Sequence, residues 1–320
     1  MDIISTLNLI IPTAIFAATP LIFTALGGLF SERAGVVNIG LEGLMVIGAF
    51  SGIVFTLIFE GLGFGAASPW VALLVAMLIG AVFSLFHAVA SITLRADQIV
   101  SGVALNFLAI GLSVFLVREF FGRGQTDYIN ARIFRESVPV LRDIPIIGNW
   151  FFSSIYPTSF VAFFLVFIVW YVVFKTPFGL RLRSVGEHPM AADTMGIKVN
   201  RMKYIAVMLS GALAGIGGAV YAITTSANFG GGTIAGQGFM SLAALIFGKW
   251  HPLGVLGAAL FFGFAQSLSI AAQQIPALAN VPQVYLLIAP YVLTILALAG
   301  FVGKAEGPKA IGKSYEKGSR

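Results

Sequence analysis

Nine apolar stretches recur along this 320-residue chain, at roughly 9–30, 36–59, 69–94, 98–117, 157–174, 204–226, 235–248, 253–272 and 283–302. A membrane-crossing helix needs about 20 mostly apolar residues. Lipid offers no partner for backbone N–H and C=O groups, so a segment of this kind satisfies them internally as a helix. The expected fold class is therefore all-α, a polytopic membrane helix bundle of about nine spans. The count becomes eight or ten if the short, Gly-rich seventh stretch is broken or re-entrant, or if a further short element lies within 143–156. Composition excludes the soluble alternative: 58% of residues are hydrophobic and only 10% charged, against about 25% charged in soluble domains.

The chain has no cysteine, and His87, His188 and His251 stand far apart without ligand spacing. Disulfide frameworks and thiolate metal sites are thereby excluded, and no metal site is expected. The N-terminus, MDIISTLNLIIP, lacks a positive n-region and reads as the start of a first span. The net charge of +6 points to membrane orientation, with no nucleic-acid partner, because of where the cations lie. The 175–203 loop holds six Lys and Arg, the 304–320 tail holds five, and Arg33, Arg95 and Lys249 join them if that face is cytoplasmic. The opposite face receives only the five arginines of the 118–156 loop, giving 14 against 5. The positive-inside rule then sets the N-terminus outside and the C-terminus in the cytoplasm of a plasma-membrane protein. The 118–156 loop ends apolar and reads as an external loop plus a short helix on the membrane surface.

The second stretch carries Asn38 and Glu42 just after the charged turn Ser31-Glu32-Arg33. An ionisable group at membrane depth is costly and faces a bundle interior or a water-filled path, which makes it a functional candidate. His87 and Asn106 fall at similar depth. The expectation is that Glu42 is held inside the bundle by His87 or Asn106, and that Asn38 or Asn106 faces a path for a polar solute. Fastening between helices is the competing role for all four.

The segment Ile39-Gly-Leu-Glu-Gly-Leu-Met45 resembles Ile234-Ala-Gly-Gln-Gly-Phe-Met240 at an offset of 195, with Glu42 aligned to Gln237. Five spans separate the two segments, which is the arithmetic of an inverted-topology repeat with the path between its halves. Gln237 therefore joins the candidate path residues. The pairs Gly48/Gly52 and Gly211/Gly215 allow close helix approach.

One nucleotide-binding match is spurious. Gly307-Pro-Lys-Ala-Ile-Gly312-Lys313-Ser314 fits G-x-x-x-x-G-K-[ST], but a span precedes it and six residues follow it, leaving no room for a strand–loop–helix unit. The tail, 304–320, reads instead as a basic cytoplasmic segment, and the chain as a non-enzyme. In the 175–203 loop, residues 189–195 can form a short helix, with Pro189 in its first turn and Gly196 as its stop. Ala191 and Ala192 would offer a flat packing surface.

Three segments together resemble a known family. Glu187-x-Pro189-x-Ala191-Ala192-x-x-x-Gly196-Ile197 looks like the coupling loop of ABC importer permeases. Ser31-Glu-Arg-Ala-Gly-Val-Val-Asn38-Ile-Gly40-Leu-Glu42-Gly43 and Ala244-Leu-Ile-Phe-Gly248-Lys-Trp-His251-Pro-Leu-Gly254 look like two signatures of the branched-chain amino acid, ribose and simple-sugar permease group. The wording is most similar to its nucleoside-uptake branch. The resemblance spans residues 20 to 300 and implies a type II-like permease domain, 1–303. It further implies a second related permease chain making a heterodimer, a cytoplasmic ABC ATPase that binds ATP and Mg, and an extracytoplasmic substrate-binding protein. Glu187, Pro189, Ala191, Ala192 and Gly196 would form the ATPase contact, and this chain would need no cofactor of its own beyond surrounding membrane lipid. The rival substrate is ribose or another simple sugar. The rival mechanism is an ion-driven secondary carrier with Glu42 and His87 as a proton relay.

Overall fold

The computed structural model describes residues 3–139, 141–144, 147–271 and 306–316, with single positions at 281, 282, 285, 288 and 292. The expected ninth span, 283–302, lies outside the described residues but for those single positions. Among the described residues, eleven α-helices are traced from end to end: α1 Ile3–Arg33, α2 Leu41–Gly61, α3 Ser68–Ala88, α4 Gln98–Phe121, α5 Ile147–Phe151, α6 Pro157–Lys175, α7 Pro177–Glu187, α8 Pro189–Thr194, α9 Val199–Tyr221, α10 Gln237–Phe247 and α11 Pro252–Ala271. Single π-turns extend α3 over Val89–Thr93 and α9 over Ala222–Ser226.

Among the described residues, six helical segments are long and apolar enough to cross a membrane: Leu7–Arg33, Leu41–Gly61, Gly65–Thr93, Gln98–Phe121, Pro157–Lys175 and Val199–Ser226. The protein is thus an all-α, multi-pass membrane protein. The seventh expected span is only the 11-residue α10, about 16 Å long at 1.5 Å per residue, half of the hydrocarbon thickness. The second span starts later than expected. Residues 36–38 have no regular structure, Ile39 and Gly40 form a turn, and α2 begins at Leu41. Ser31, Glu32 and Arg33 are not a turn; they close α1, and the chain reverses at Ala34 and Gly35, where Gly35 has φ +81°.

The bundle is built around α1, α2 and α9, which are largely buried, while α3, α4 and α6 keep apolar outer faces. Phe107 on α4 and Phe164 on α6 are 72% and 68% exposed, as suits lipid-facing positions. Glycine decides the central crossing. A Cβ on Gly48 would lie 2.1 Å from the Gly215 carbonyl oxygen, and one on Gly80 would lie 2.3 Å from that of Gly211. The two small-residue pairs read from the sequence do let α2, α3 and α9 meet backbone to backbone.

The first part of the 118–156 loop is bonded to the bundle. Thr126 N–H donates to the Phe229 carbonyl, Ile129 N–H to that of Ala227, and the Glu60 carboxylate accepts from Asn130 and Ala131 N–H. These bonds pin the loop to the ends of α2 and α9. Its apolar end does contain a short helix, α5.

Candidate transport site and coupling face

Residues 36–40 are non-helical backbone inside a helix bundle. At membrane depth such backbone is tolerated only where protein or enclosed water satisfies it. Here side chains do so, one peptide at a time. The Val37 N–H donates to Gln98 Oε1 at 2.7 Å, and the Val37 carbonyl lies 2.9 Å from His87 Nε2. A carbonyl can only accept, so Nε2 carries a hydrogen there. His87 Nδ1 meets Ser101 Oγ at 3.0 Å. Asn106 bridges the start of α2, accepting from Gly43 N–H at 2.7 Å and donating to the Ile39 carbonyl at 3.1 Å. Asn38 Nδ2 donates to Ser210 Oγ on α9 at 2.8 Å, and its Oδ1 has no hydrogen-bond partner among the described residues.

Glu42 is placed differently from expectation. Neither His87 nor Asn106 holds it. Its Oε1 accepts from Gly236 N–H and its Oε2 from Gly238 N–H, both at 2.7 Å. These are unpaired donors of the first turn of α10. Gly236, the N-cap, sits at φ +82° and carries no side chain that could cap the helix itself. Glu42 also lies in the first turn of its own helix. Two helix N-termini therefore converge on one carboxylate, an arrangement that favours negative charge there. The approach is close: a Cβ on Gly238 would lie 2.4 Å from the Glu42 Cα. Gln237 does not reach the carboxylate with its side chain. It faces α11, where Gln266 Nε2 lies 3.5 Å from its Oε1.

The structure thus gathers Asn38, Glu42, His87 and Asn106 around residues 37–43, with Gln237 at the adjoining helix start. Gln98, Ser101 and Ser210 belong to the same set. Sequence reading missed them, because a serine within a helix or a glutamine at a helix start has no distinguishing pattern.

On the charged face, Trp250 is buried. It is 7% exposed, its Nε1 donates to Glu32 Oε2 at 2.5 Å, and its carbonyl accepts from Arg33 Nε and Nη2. His251 packs on Phe174. Partial burial, and then the Arg33 guanidinium, hold its pKa below the usual histidine value.

The short helix read at 189–195 is α8, and Gly196 ends it at φ +80°. The two alanines part company. Ala191 is exposed, whereas Ala192 is 4% exposed and packs into the core. The flat two-alanine surface is therefore corrected to one outward alanine beside exposed Met190 and Met195. Glu187 and Pro189 flank the exposed His188. Residues 306–316, read as a plain basic tail, pack across this face. Lys313 and Ser314 lie in irregular backbone after the turn at Ile311 and Gly312. Among the described residues no group of three His, Asp or Glu converges as a metal site.

The profile of the family described as "Branched-chain amino acid transport system / permease component" matches residues 10–298. The chain belongs to this family. It is 59% identical over 320 residues to the guanosine ABC transporter permease protein NupQ of Bacillus subtilis, covering all of both chains. It is 52% identical to the nucleoside ABC transporter permease protein NupC of Lactococcus lactis, covering 99% of each. Among solved structures, an inward-facing metal-chelate-type ABC transporter matches with a TM-score of 0.50 at 17% identity, covering 90% of this chain and 85% of that one. That likeness concerns the fold alone. Permeases of this family are transport subunits, and the six spans fit such a role.

Proposed function

We propose that the chain is the membrane-spanning permease subunit of an ATP-driven importer that carries nucleosides across the plasma membrane. The end-to-end match to two permeases named for guanosine and nucleosides carries this reading. In this reading ATP and Mg are bound by a separate cytoplasmic ATPase, and a substrate-binding protein delivers the nucleoside from outside. A second, related permease chain completes the pathway. The domain is 1–303, with nine spans, the N-terminus outside and the tail 304–320 in the cytoplasm; the distribution of Lys and Arg supports that orientation. An inverted repeat is supported by the way α2 and α10 both start after irregular backbone and meet at Glu42 and Gln237.

In this assignment the polar joint of Asn38, Glu42, His87, Asn106 and Gln237 borders the transport path. Its fasteners set the positions of two helix starts that must shift when the path opens. The coupling contact is the exposed part of Glu187–Gly196: Glu187, Pro189 and Ala191 directly, with Ala192 and Gly196 shaping α8. The ion-driven alternative fares worse. Both Glu42 oxygens are engaged by α10 backbone, and both His87 nitrogens by Val37 and Ser101, so no hydrogen bond joins the two into a relay.

The test is uptake of labelled nucleoside in cells with and without the gene, under excess unlabelled ribose and again after deletion of the partner ATPase. Uptake that requires both genes and ignores ribose is expected. Ribose competition moves the substrate to a sugar, and uptake that survives without the ATPase but collapses with an uncoupler refutes an ATP-driven importer.

A further inference from the structure

Residues 306–316 touch nearly every cytoplasmic element around the polar joint. Gly307 lies on the Trp250 ring, where an added Cβ would be 3.0 Å from the indole. Ala310 N–H donates to the Gly186 carbonyl at the end of α7 at 2.9 Å, and Lys309 N–H lies 3.4 Å from Glu187 Oε2. The Ala310 carbonyl faces Gly35, whose Cβ would sit 3.2 Å away, and Gly312 approaches the Val37 side chain. Lys203 Nζ on α9 reaches the Lys313 carbonyl at 3.4 Å. The shielded Tyr315 hydroxyl feels both its burial and the Asp193 carboxylate of α8, which raise the phenol's pKa. Arg95, just beyond the end of α3, pairs with Glu316 at 2.5 Å.

A basic tail acting only as an orientation signal has no need of these contacts. Exposed ion pairs contribute little, but Pro308 and Ala310 are buried and Ile311 packs against the core. The segment is bonded to the end of α7, where α8 begins, and lies against Gly35 and Val37. Val37 is the residue whose backbone His87 and Gln98 hold, and it lies five positions before Glu42. A cavity of about 400 Å3 opens between the segment, from Lys309 to Glu316, and the stretch Glu187–Met190 at the start of α8.

We propose that residues 306–316 are a positioning strap that links the coupling helix α8 to the irregular segment 34–40, so that force applied at α8 reaches the joint between α2 and α10. This rests on the reading of α8 as the ATPase contact. The mechanical chain is short: from the α7–α8 junction at Gly186 and Glu187 through Lys309 and Ala310 to Gly35, with Gly312 on Val37, then through the segment fastened by His87 and Asn106 to the Glu42–α10 junction. Interfaces packed this closely move as discrete blocks, and energetic coupling travels through such contiguous contacts.

The experiment uses the full importer in membranes, with the chain truncated after residue 305 and, separately, with Ala310→Arg and Tyr315→Phe. Three quantities are read: ATPase copurification, ATP hydrolysis and nucleoside uptake. The strap predicts that the ATPase stays bound and hydrolyses ATP while uptake falls about tenfold, a loss within the usual range of coupling between sites. Tyr315→Phe should give a smaller fall than Ala310→Arg. Uptake held within about twofold in both the truncation and Ala310→Arg overturns the proposal, since a loss that small is below typical coupling. Loss of the ATPase from the truncated complex also overturns it, making the segment a docking element only. Should the truncated chain fail to accumulate, Ala310→Arg decides by the same criteria. Ala191→Arg on the intact chain tests the underlying reading by itself: an ATPase still bound to that variant removes α8 as the contact, whatever the tail does.

Discussion

Replacing Glu42 with glutamine changes a single atom type at the junction of two helix starts, and its cost can be worked from the geometry. The carboxylate accepts two N–H groups of α10, each at 2.7 Å, from a position 6% exposed. The amide keeps one acceptor, now neutral, which roughly halves that bond. Its NH2 faces the other N–H, so one charge-assisted bond worth about 1.5–3 kcal/mol is lost and a buried donor is left unmet at about 1–3 kcal/mol. The sum is about 2.5–6 kcal/mol, tempered because hydrogen bonds between membrane helices often measure nearer 0.6 kcal/mol. A chain of this size shifts roughly 2–4 °C in Tm per kcal/mol, so Glu42→Gln should lower the melting temperature of the purified complex by of order 10 °C. The assay is monodispersity after heating in nanodiscs, read beside uptake in membranes with protein level controlled. A melting temperature unchanged within about 1 °C refutes the staple. If uptake then also falls, Glu42 acts on substrate or gating and not on packing.

Three other outcomes follow from the same contacts. Asn106→Ala removes the bonds to Gly43 N–H and the Ile39 carbonyl and should destabilise by about 1–3 kcal/mol; equal thermal stability in the same heating assay counts against Asn106 as a fastener. Gly48→Val places a Cβ 2.1 Å from the Gly215 carbonyl and should cost more than about 3 kcal/mol, since backbone cannot yield as side chains do; normal accumulation in membranes would contradict the close α2–α9 contact. His251 has its pKa held down by burial and Arg33, so below about pH 6.5 the unfolded chain takes up a proton that the folded one resists. Stability present above that pH should fall slightly as the medium is acidified, and His251→Phe should flatten that part of the profile; an unchanged profile removes His251 as the source.

Much of this was legible in the residues. Long apolar runs can only be helices in lipid, so the bundle and most span boundaries followed from hydropathy. Pro189 and Gly196 bracket α8 because proline suits a first helical turn and glycine a left-handed stop. The Gly48/Gly52 and Gly211/Gly215 pairs marked the central crossing because only glycine allows that approach. Polar groups at membrane depth marked the joint because burying them is costly.

Partner identity was not legible. Glu42 bonds to backbone donors 194 and 196 residues away, and any N–H can serve, so no residue type announces the contact. Residues 36–40 look apolar enough to be helical; they stay irregular because His87, Gln98 and Asn106 satisfy their peptides from two other helices. Ala191 and Ala192 are identical in sequence, and only packing turns one outward and the other inward. The tail reads as a run of charges until Ala310 is seen bonded to the end of α7 and Ile311 packed against the core. The sequence by itself determined that the chain is a multi-pass helix bundle, which helices approach closely and which residues are too polar to lie there idle, since those depend on local side-chain chemistry. Only the tertiary structure decided what each polar group holds, because a hydrogen bond needs a partner in space and backbone partners carry no sequence signature.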